Sequence, residues 1–114
     1  MILRTVIGLI ALLVSSVARA EYFTYQTWSG LGEMSRAAYI AGAYDSQMTF
    51  VDSEAQGKDA RHFRKCIQTA RMTSFQLAAN VMNFAKDRPA LQTGSVQEAL
   101  ISYLIAACGE PPTK

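Results

Sequence analysis

Apolar residues recur at helical spacing through most of the chain. Over residues 31–49 they return every three or four positions, which places them on one face of a helix. Residues 51–58 are polar and include a Gly, so we predict a loop there and a short second helix over residues 59–66. Residues 21–29 are aromatic and polar without a period, and we expect an irregular lead-in.

Two later helices have clearer start signals. Thr73 and Gln76 have the spacing of a capping box, in which each side chain bonds the other residue's backbone amide, and Ser95 and Glu98 repeat that spacing. An apolar face follows each pair. The two faces comprise Leu77, Ala78, Val81, Phe84 and Ala85, and then Val96, Ala99, Leu100, Tyr103, Leu104, Ala107 and Cys108.

The end signals and the overall pattern indicate one fold class. Pro89 disfavours helical geometry in Arg88 and ends the third helix, and Gly109 is a candidate C-cap for the fourth. No segment shows the sustained alternation of a strand. We predict an all-α fold, a small single-domain bundle of about four helices, with Leu100 and Leu104 in its core.

Residues 1–20 have the pattern of a secretory signal peptide. Arg4 supplies positive charge, a mostly apolar stretch follows, and residues 18–20 form a small-x-small cleavage site. The apolar stretch is shorter than the ~20 residues that span a bilayer. We therefore predict cleavage after Ala20, a single mature domain over residues 21–114, a periplasmic location and no membrane span.

Removing the signal also removes the basic excess. The chain has a formal net charge of +2 and eleven basic residues, of which Arg4 and Arg19 belong to the signal, so nine remain against nine acidic ones. Binding to nucleic acid or to an anionic membrane through the overall field needs a basic excess. We expect neither as a partner.

Cys66 and Cys108 are the only cysteines. In an exported chain an even number favours a disulfide. A metal site is the alternative, but His62 is the sole histidine and no second Cys-His pair completes a tetrahedron. We predict a Cys66–Cys108 disulfide and no metal or other cofactor.

Catalytic groups are scarce. A nucleophile-base pair needs a His or an activated Lys beside Ser or Cys, and His62 stands alone. The glycines are scattered, so no phosphate-binding loop is present. We expect a binding protein and no enzyme.

Two local features need an explanation. Residues 58–71 contain five basic residues and one acidic residue, which indicates either a solvated helix face or a contact patch for an acidic partner. Gly42 lies inside the first predicted helix, where Gly costs about 1 kcal/mol relative to Ala. We expect the close approach of another helix at Gly42.

One ordered pattern covers most of residues 34–108: Arg36, Tyr39-x-x-Gly42-x-x-Asp45, Cys66, Thr73-x-x-Gln76, Val81, Pro89, Ala99-x-x-x-Tyr103-Leu104 and Cys108. This pattern resembles the Rap/Tai-type immunity proteins. The resemblance implies a small periplasmic helical protein that binds and blocks a peptidoglycan amidase effector of type VI secretion. It also implies a homodimer and a loop that fills the amidase cleft.

The best candidate for that loop is the polar segment 45–58. Its Gly offers flexibility and its carboxylates offer hydrogen-bond acceptors. We predict partner contacts from Asp45, Asp52, Glu54 and Lys58. An ordinary surface connection is the plain alternative for the segment. For the whole chain, the alternatives are a periplasmic stress or acid chaperone and a structural envelope protein.

Overall fold

The computed structural model describes residues 23–112, which form six α-helices and no strand. These are α1 (Tyr25–Ser29), α2 (Glu33–Thr49), α3 (Glu54–Thr69), α4 (Ser74–Ala85), α5 (Pro89–Gln92) and α6 (Val96–Cys108). The predicted all-α fold is confirmed: α2, α3, α4 and α6 are the four main helices, and α1 and α5 are short additions. The predicted signal peptide lies outside the described residues.

All six helices surround one hydrophobic core. α2 packs most extensively against α4 and also contacts α1, α3 and α6. The largest side chains with no appreciable exposure are Trp28, Ile40, Val81, Val96, Leu100 and Leu104. The core positions predicted for Leu100 and Leu104 are therefore confirmed, as expected for the middle of an amphipathic stripe.

The N-terminal lead-in is more ordered than predicted. The prediction of an irregular segment is wrong for α1, which begins after Thr24, whose hydroxyl accepts the Thr27 amide proton at 3.2 Å. Trp28 is fully buried, and its indole N–H donates to the carbonyl of Arg36 at 3.0 Å. A helix of five residues is too short to show a period, so burial of Trp28 against α2 determines its place.

The predicted loop over residues 51–58 is also wrong, because α3 begins at Glu54. The Ser53 hydroxyl caps the helix by accepting a first-turn amide proton at 3.1 Å. Gly57 lies inside the helix, where its cost is offset by the burial of Ala60, Phe63 and Ile67 along one face. Only residues 50–53, which we call the linker, remain non-helical between α2 and α3.

The two predicted capping boxes form to different extents. Thr73 accepts the Gln76 amide proton at 3.1 Å and donates its own amide to the Gln76 side chain at 2.9 Å, which completes the box. Ser95 accepts the Glu98 amide proton at 3.2 Å, which is the first of the two bonds. α4 ends before Pro89 as predicted, and Pro89 then serves as the first residue of α5.

The predicted disulfide is confirmed. Cys66 on α3 bonds to Cys108, the last residue of α6, with 5.8 Å between their Cα atoms. Gly109 follows with φ of 83°, a left-handed conformation that glycine adopts readily. Its carbonyl oxygen lies 3.0 Å from His62 Nε2, so a hydrogen bond also joins the middle of α3 to the end of α6.

Reduction of the disulfide should lower stability strongly. The bond spans 42 residues along the sequence, and loop-closure entropy assigns it about 4 kcal/mol. We expect a melting temperature roughly 15–30 °C lower after reduction, measured by circular dichroism with and without a reductant. A thiol titration of the unreduced protein is the control, and two free thiols there would contradict the prediction.

The expectation for Gly42 is wrong. Gly42 is exposed on α2, and a Cβ built on it meets no atom within 4 Å.

Gly42→Ala should therefore raise the free energy of unfolding by about 0.5–1 kcal/mol, because Ala restricts the unfolded chain without a clash. Urea denaturation measures the change. The matched control is Gly109→Ala, which should destabilise because of its positive φ; destabilisation by both variants would contradict the prediction.

Candidate functional site

A groove with a volume of about 400 Å³ opens between the end of α2, the linker, α3 and α6. We call it the linker groove. Its floor is apolar and is made by Met48, Ala60 and Phe63, which are buried, and by Ile101 and Ile105, which are half-buried. The floor exists because Met48 of α2 and residues on the apolar faces of α3 and α6 meet at the gap between these helices.

Two apolar residues of the linker are exposed at this groove. Phe50 is 79% exposed and Val51 is 40% exposed, and both line the groove. Complete burial of a Phe side chain adds about 1.5–3 kcal/mol to stability. Contacts among residues 23–112 do not bury Phe50 in this way. An exposed aromatic residue beside an apolar groove is a typical feature of a binding surface.

Hydrogen bonds hold the linker in its shape. The Phe50 amide donates to the Ser46 carbonyl at 3.0 Å, and the Asp52 amide donates to the Gln56 side chain at 2.6 Å. The Arg64 guanidinium donates to the carbonyl of Met48 at 3.0 Å. Both ends of the linker are therefore anchored, and Phe50 is presented from a restrained backbone.

The charged residues of the linker groove are all acidic. Asp52, Asp59 and Glu110 line it, and no Lys, Arg or His occurs among its lining residues within the described part of the chain. One oxygen of Asp59, Oδ1, is shielded from water and accepts no hydrogen bond from residues 23–112. A shielded carboxylate oxygen without a donor is unfavourable, since its lost hydration is not replaced.

The structure places the predicted partner-binding residues in separate regions. Asp52 lies in the linker groove, whereas Asp45 is exposed on α2 and lines the cleft between α2 and α3 that is described below. Glu54 and Lys58 are exposed in the first turns of α3 and line neither this groove nor the cleft described below. The four residues therefore do not share one extended loop, although their role in binding stays a prediction.

Two of the four motif residues on α2 hold the N-terminal segment. The Arg36 guanidinium donates to the carbonyl of Leu31. The Tyr39 hydroxyl accepts the Phe23 amide proton at 3.2 Å, and the two rings lie 4.9 Å apart. Both residues therefore connect α2 to the segment that precedes it, whereas Gly42 is exposed.

A second cleft, of about 380 Å³, lies between α2 and α3. Arg64 and Arg71 line it, so the basic stretch 58–71 is divided between this cleft and residues exposed to solvent. The Tyr44 hydroxyl also lies there and is buried without a hydrogen-bond partner among the described residues. Burial raises the pKa of Tyr44, with the charge of Arg64 opposing that rise and the charge of Asp45 adding to it.

Sequence reasoning did not identify Phe50, Asp59 or Glu110 as site residues. Phe50 and Val51 had a usable signal, because two apolar residues directly follow the end of a predicted helix in a polar context. Asp59 and Glu110 had none, since they are 51 positions apart and meet only through helix packing. Within residues 23–112 no group of three His, Cys, Asp or Glu could hold a metal ion, and no helix has the length and apolar character to cross a membrane.

Tyr44→Phe should leave the free energy of unfolding unchanged or raise it by up to about 1 kcal/mol, because it removes a buried hydroxyl that has no partner. Burial raises the pKa of Tyr44 above its ordinary value of 10.0, so the group ionises less readily in the folded state than in the unfolded state. Ionisation of Tyr44 therefore leaves the free energy of unfolding unchanged well below pH 10.0 and lowers it as the pH rises from there through the folded-state pKa. The variant should therefore lose less stability at alkaline pH. Denaturation at pH 7 and above pH 10 measures both effects.

Tyr103→Phe is the matched control, because the Tyr103 hydroxyl accepts a hydrogen bond from Asn80 at 3.1 Å. It should be destabilised by about 0.5–1.5 kcal/mol at pH 7. An equal loss in both variants would contradict the assignment of Tyr44.

The linker groove thus combines an apolar floor, a restrained aromatic residue and an acidic rim. These features are typical of a surface that binds another protein. No protein-family model, no curated protein and no solved structure matches the chain.

Proposed function

We propose that this chain is a periplasmic immunity-type protein that binds and inhibits a peptidoglycan amidase effector of type VI secretion. The observation that carries the proposal is the 79% exposure of Phe50 on an anchored linker between the two longest helices. The kind of target is supported by the resemblance of residues 34–108 to the Rap/Tai-type immunity proteins.

An inhibitor of a cleft enzyme needs a protruding segment that loses little entropy when it binds. The linker meets this need because α2 and α3 fix its ends and hydrogen bonds restrain Phe50 and Asp52. An aromatic side chain is a common energetic anchor in such contacts. Phe50 is therefore the residue assigned to enter the partner, with Asp52 beside it as a hydrogen-bond acceptor.

The disulfide agrees with the proposed location. Both cysteines of the chain are joined, and a disulfide forms and persists in an oxidising compartment such as the periplasm. A disulfide also suits a small domain that must remain folded outside the cytoplasm, because the size of its core limits its stability.

The test is protection from lysis. The full chain, with its own N-terminal residues, is expressed in bacteria that also export candidate amidase effectors to the periplasm, and lysis is scored. Wild type should prevent lysis by its cognate amidase. Phe50→Ala should weaken amidase binding by at least about tenfold, since loss of a central aromatic anchor costs about 2 kcal/mol or more.

Phe75→Ala is the matched control, because Phe75 is also exposed but lies on α4, outside the groove. It should protect as wild type does. Lysis with every effector tried would overturn the function. Protection that is indifferent to Phe50→Ala and to the pair Asp52→Ala and Glu54→Ala would retain the function and exclude the linker as its site.

A further inference from the structure

The linker groove has an apolar floor and an acidic rim, and one kind of side chain can contact both. Its floor is apolar, with Phe63 buried and Ile101 and Ile105 half-buried, while its rim carries the carboxyl groups of Asp52, Asp59 and Glu110. Lysine and arginine have an apolar stem and a cationic end, so they can cover apolar surface while placing charge at an acidic rim.

Asp59 contributes one of the three carboxyl groups that line the groove. Its Oδ1 atom is shielded from water and has no donor among residues 23–112, although the side chain lines the groove. The other charged residues of the lining, Asp52 and Glu110, are also acidic. The negative charge of this rim would attract a cation bound in the groove.

Phe50 favours arginine over lysine in this position. Its ring is exposed and belongs to the same groove, and a guanidinium group stacks on aromatic faces and also donates hydrogen bonds to carboxylates. The chain shows this kind of contact elsewhere, since the Arg88 guanidinium lies 3.8 Å from the centre of the Phe84 ring.

We infer that the linker groove binds an arginine side chain of the partner protein, with an apolar neighbour of that arginine seated on the groove floor. The inference rests on the proposed function only in taking the occupant to be a protein. It adds what the partner must present: an exposed arginine flanked by apolar residues, opposite Phe50 and the acidic rim.

The test uses two tripeptides, acetyl-Leu-Arg-Leu-amide and its analogue with citrulline in place of arginine. Citrulline has almost the same shape as arginine but no charge. Binding to the oxidised protein is measured by titration with two-dimensional NMR of the backbone amides. The arginine peptide should shift amides of the linker, the start of α3 and the end of α6, and it should bind at least about tenfold more tightly than the citrulline peptide.

The protein variants distinguish binding in the groove from a general attraction to acidic residues of the protein. Asp59→Asn should weaken binding of the arginine peptide by about fivefold or more and reduce the difference between the two peptides. Asp87→Asn is the matched control, because Asp87 is exposed and lies outside the groove, and it should bind as wild type does. Higher salt should weaken binding of the arginine peptide more than binding of the citrulline peptide.

Several outcomes would overturn the inference. These are equal affinity for the two peptides, shifts outside the groove, an Asp59→Asn variant that binds as wild type does, and no binding of the arginine peptide up to about 5 mM. Sedimentation of the free protein provides one more such outcome. If wild type is a dimer and Phe50→Ala is a monomer, a second copy of the chain occupies the groove.

The peptide titration contains no amidase, so it is independent of the lysis assay. Selective arginine binding without protection from any amidase would retain the groove chemistry and remove the proposed function. Protection without arginine selectivity would retain the function and remove this inference.

Discussion

The bond between Cys66 and Cys108 determines how the two walls of the linker groove are spaced. Phe63 lies one helical turn before Cys66, and Ile105 lies one turn before Cys108, so the disulfide joins α3 and α6 next to the residues that line the floor. The hydrogen bond between His62 and the Gly109 carbonyl strengthens the same junction. Glu110 follows at once, so its position on the rim also depends on this junction.

The opposite side of the fold is held by burial around Trp28. The Trp28 indole is enclosed and donates to α2, and the Tyr25 amide donates to the Gly94 carbonyl at 3.0 Å, just before α6 begins. This places α1 against two of the main helices. α2 is therefore fixed by Trp28 at its start and by α4 along its length, which leaves its last turn to carry the linker.

The groove contains two features that add little to stability. Phe50 is exposed, and Asp59 has a shielded oxygen without a donor. Phe50 gains little from folding because its ring stays exposed, and the shielded oxygen of Asp59 loses hydration without gaining a hydrogen bond among residues 23–112. Local features that add little to stability are typical of functional sites, and under the proposed function a partner would bury the Phe50 ring. Phe50 carries the proposal for function, and Phe50 and Asp59 both enter the proposal for the arginine site.

The sequence alone determined the helical class, the caps at Ser95 and Thr73, and the disulfide, because these follow from local spacing and from an even cysteine count. It did not determine α1 or the start of α3. A five-residue helix has no measurable period, and Gly57 weakens the helical signal of a segment that is stabilised by burial of Phe63. Only the tertiary structure decided the groove, since Asp59 and Glu110 are brought together by helix packing and the exposure of Phe50 depends on which neighbours cover it.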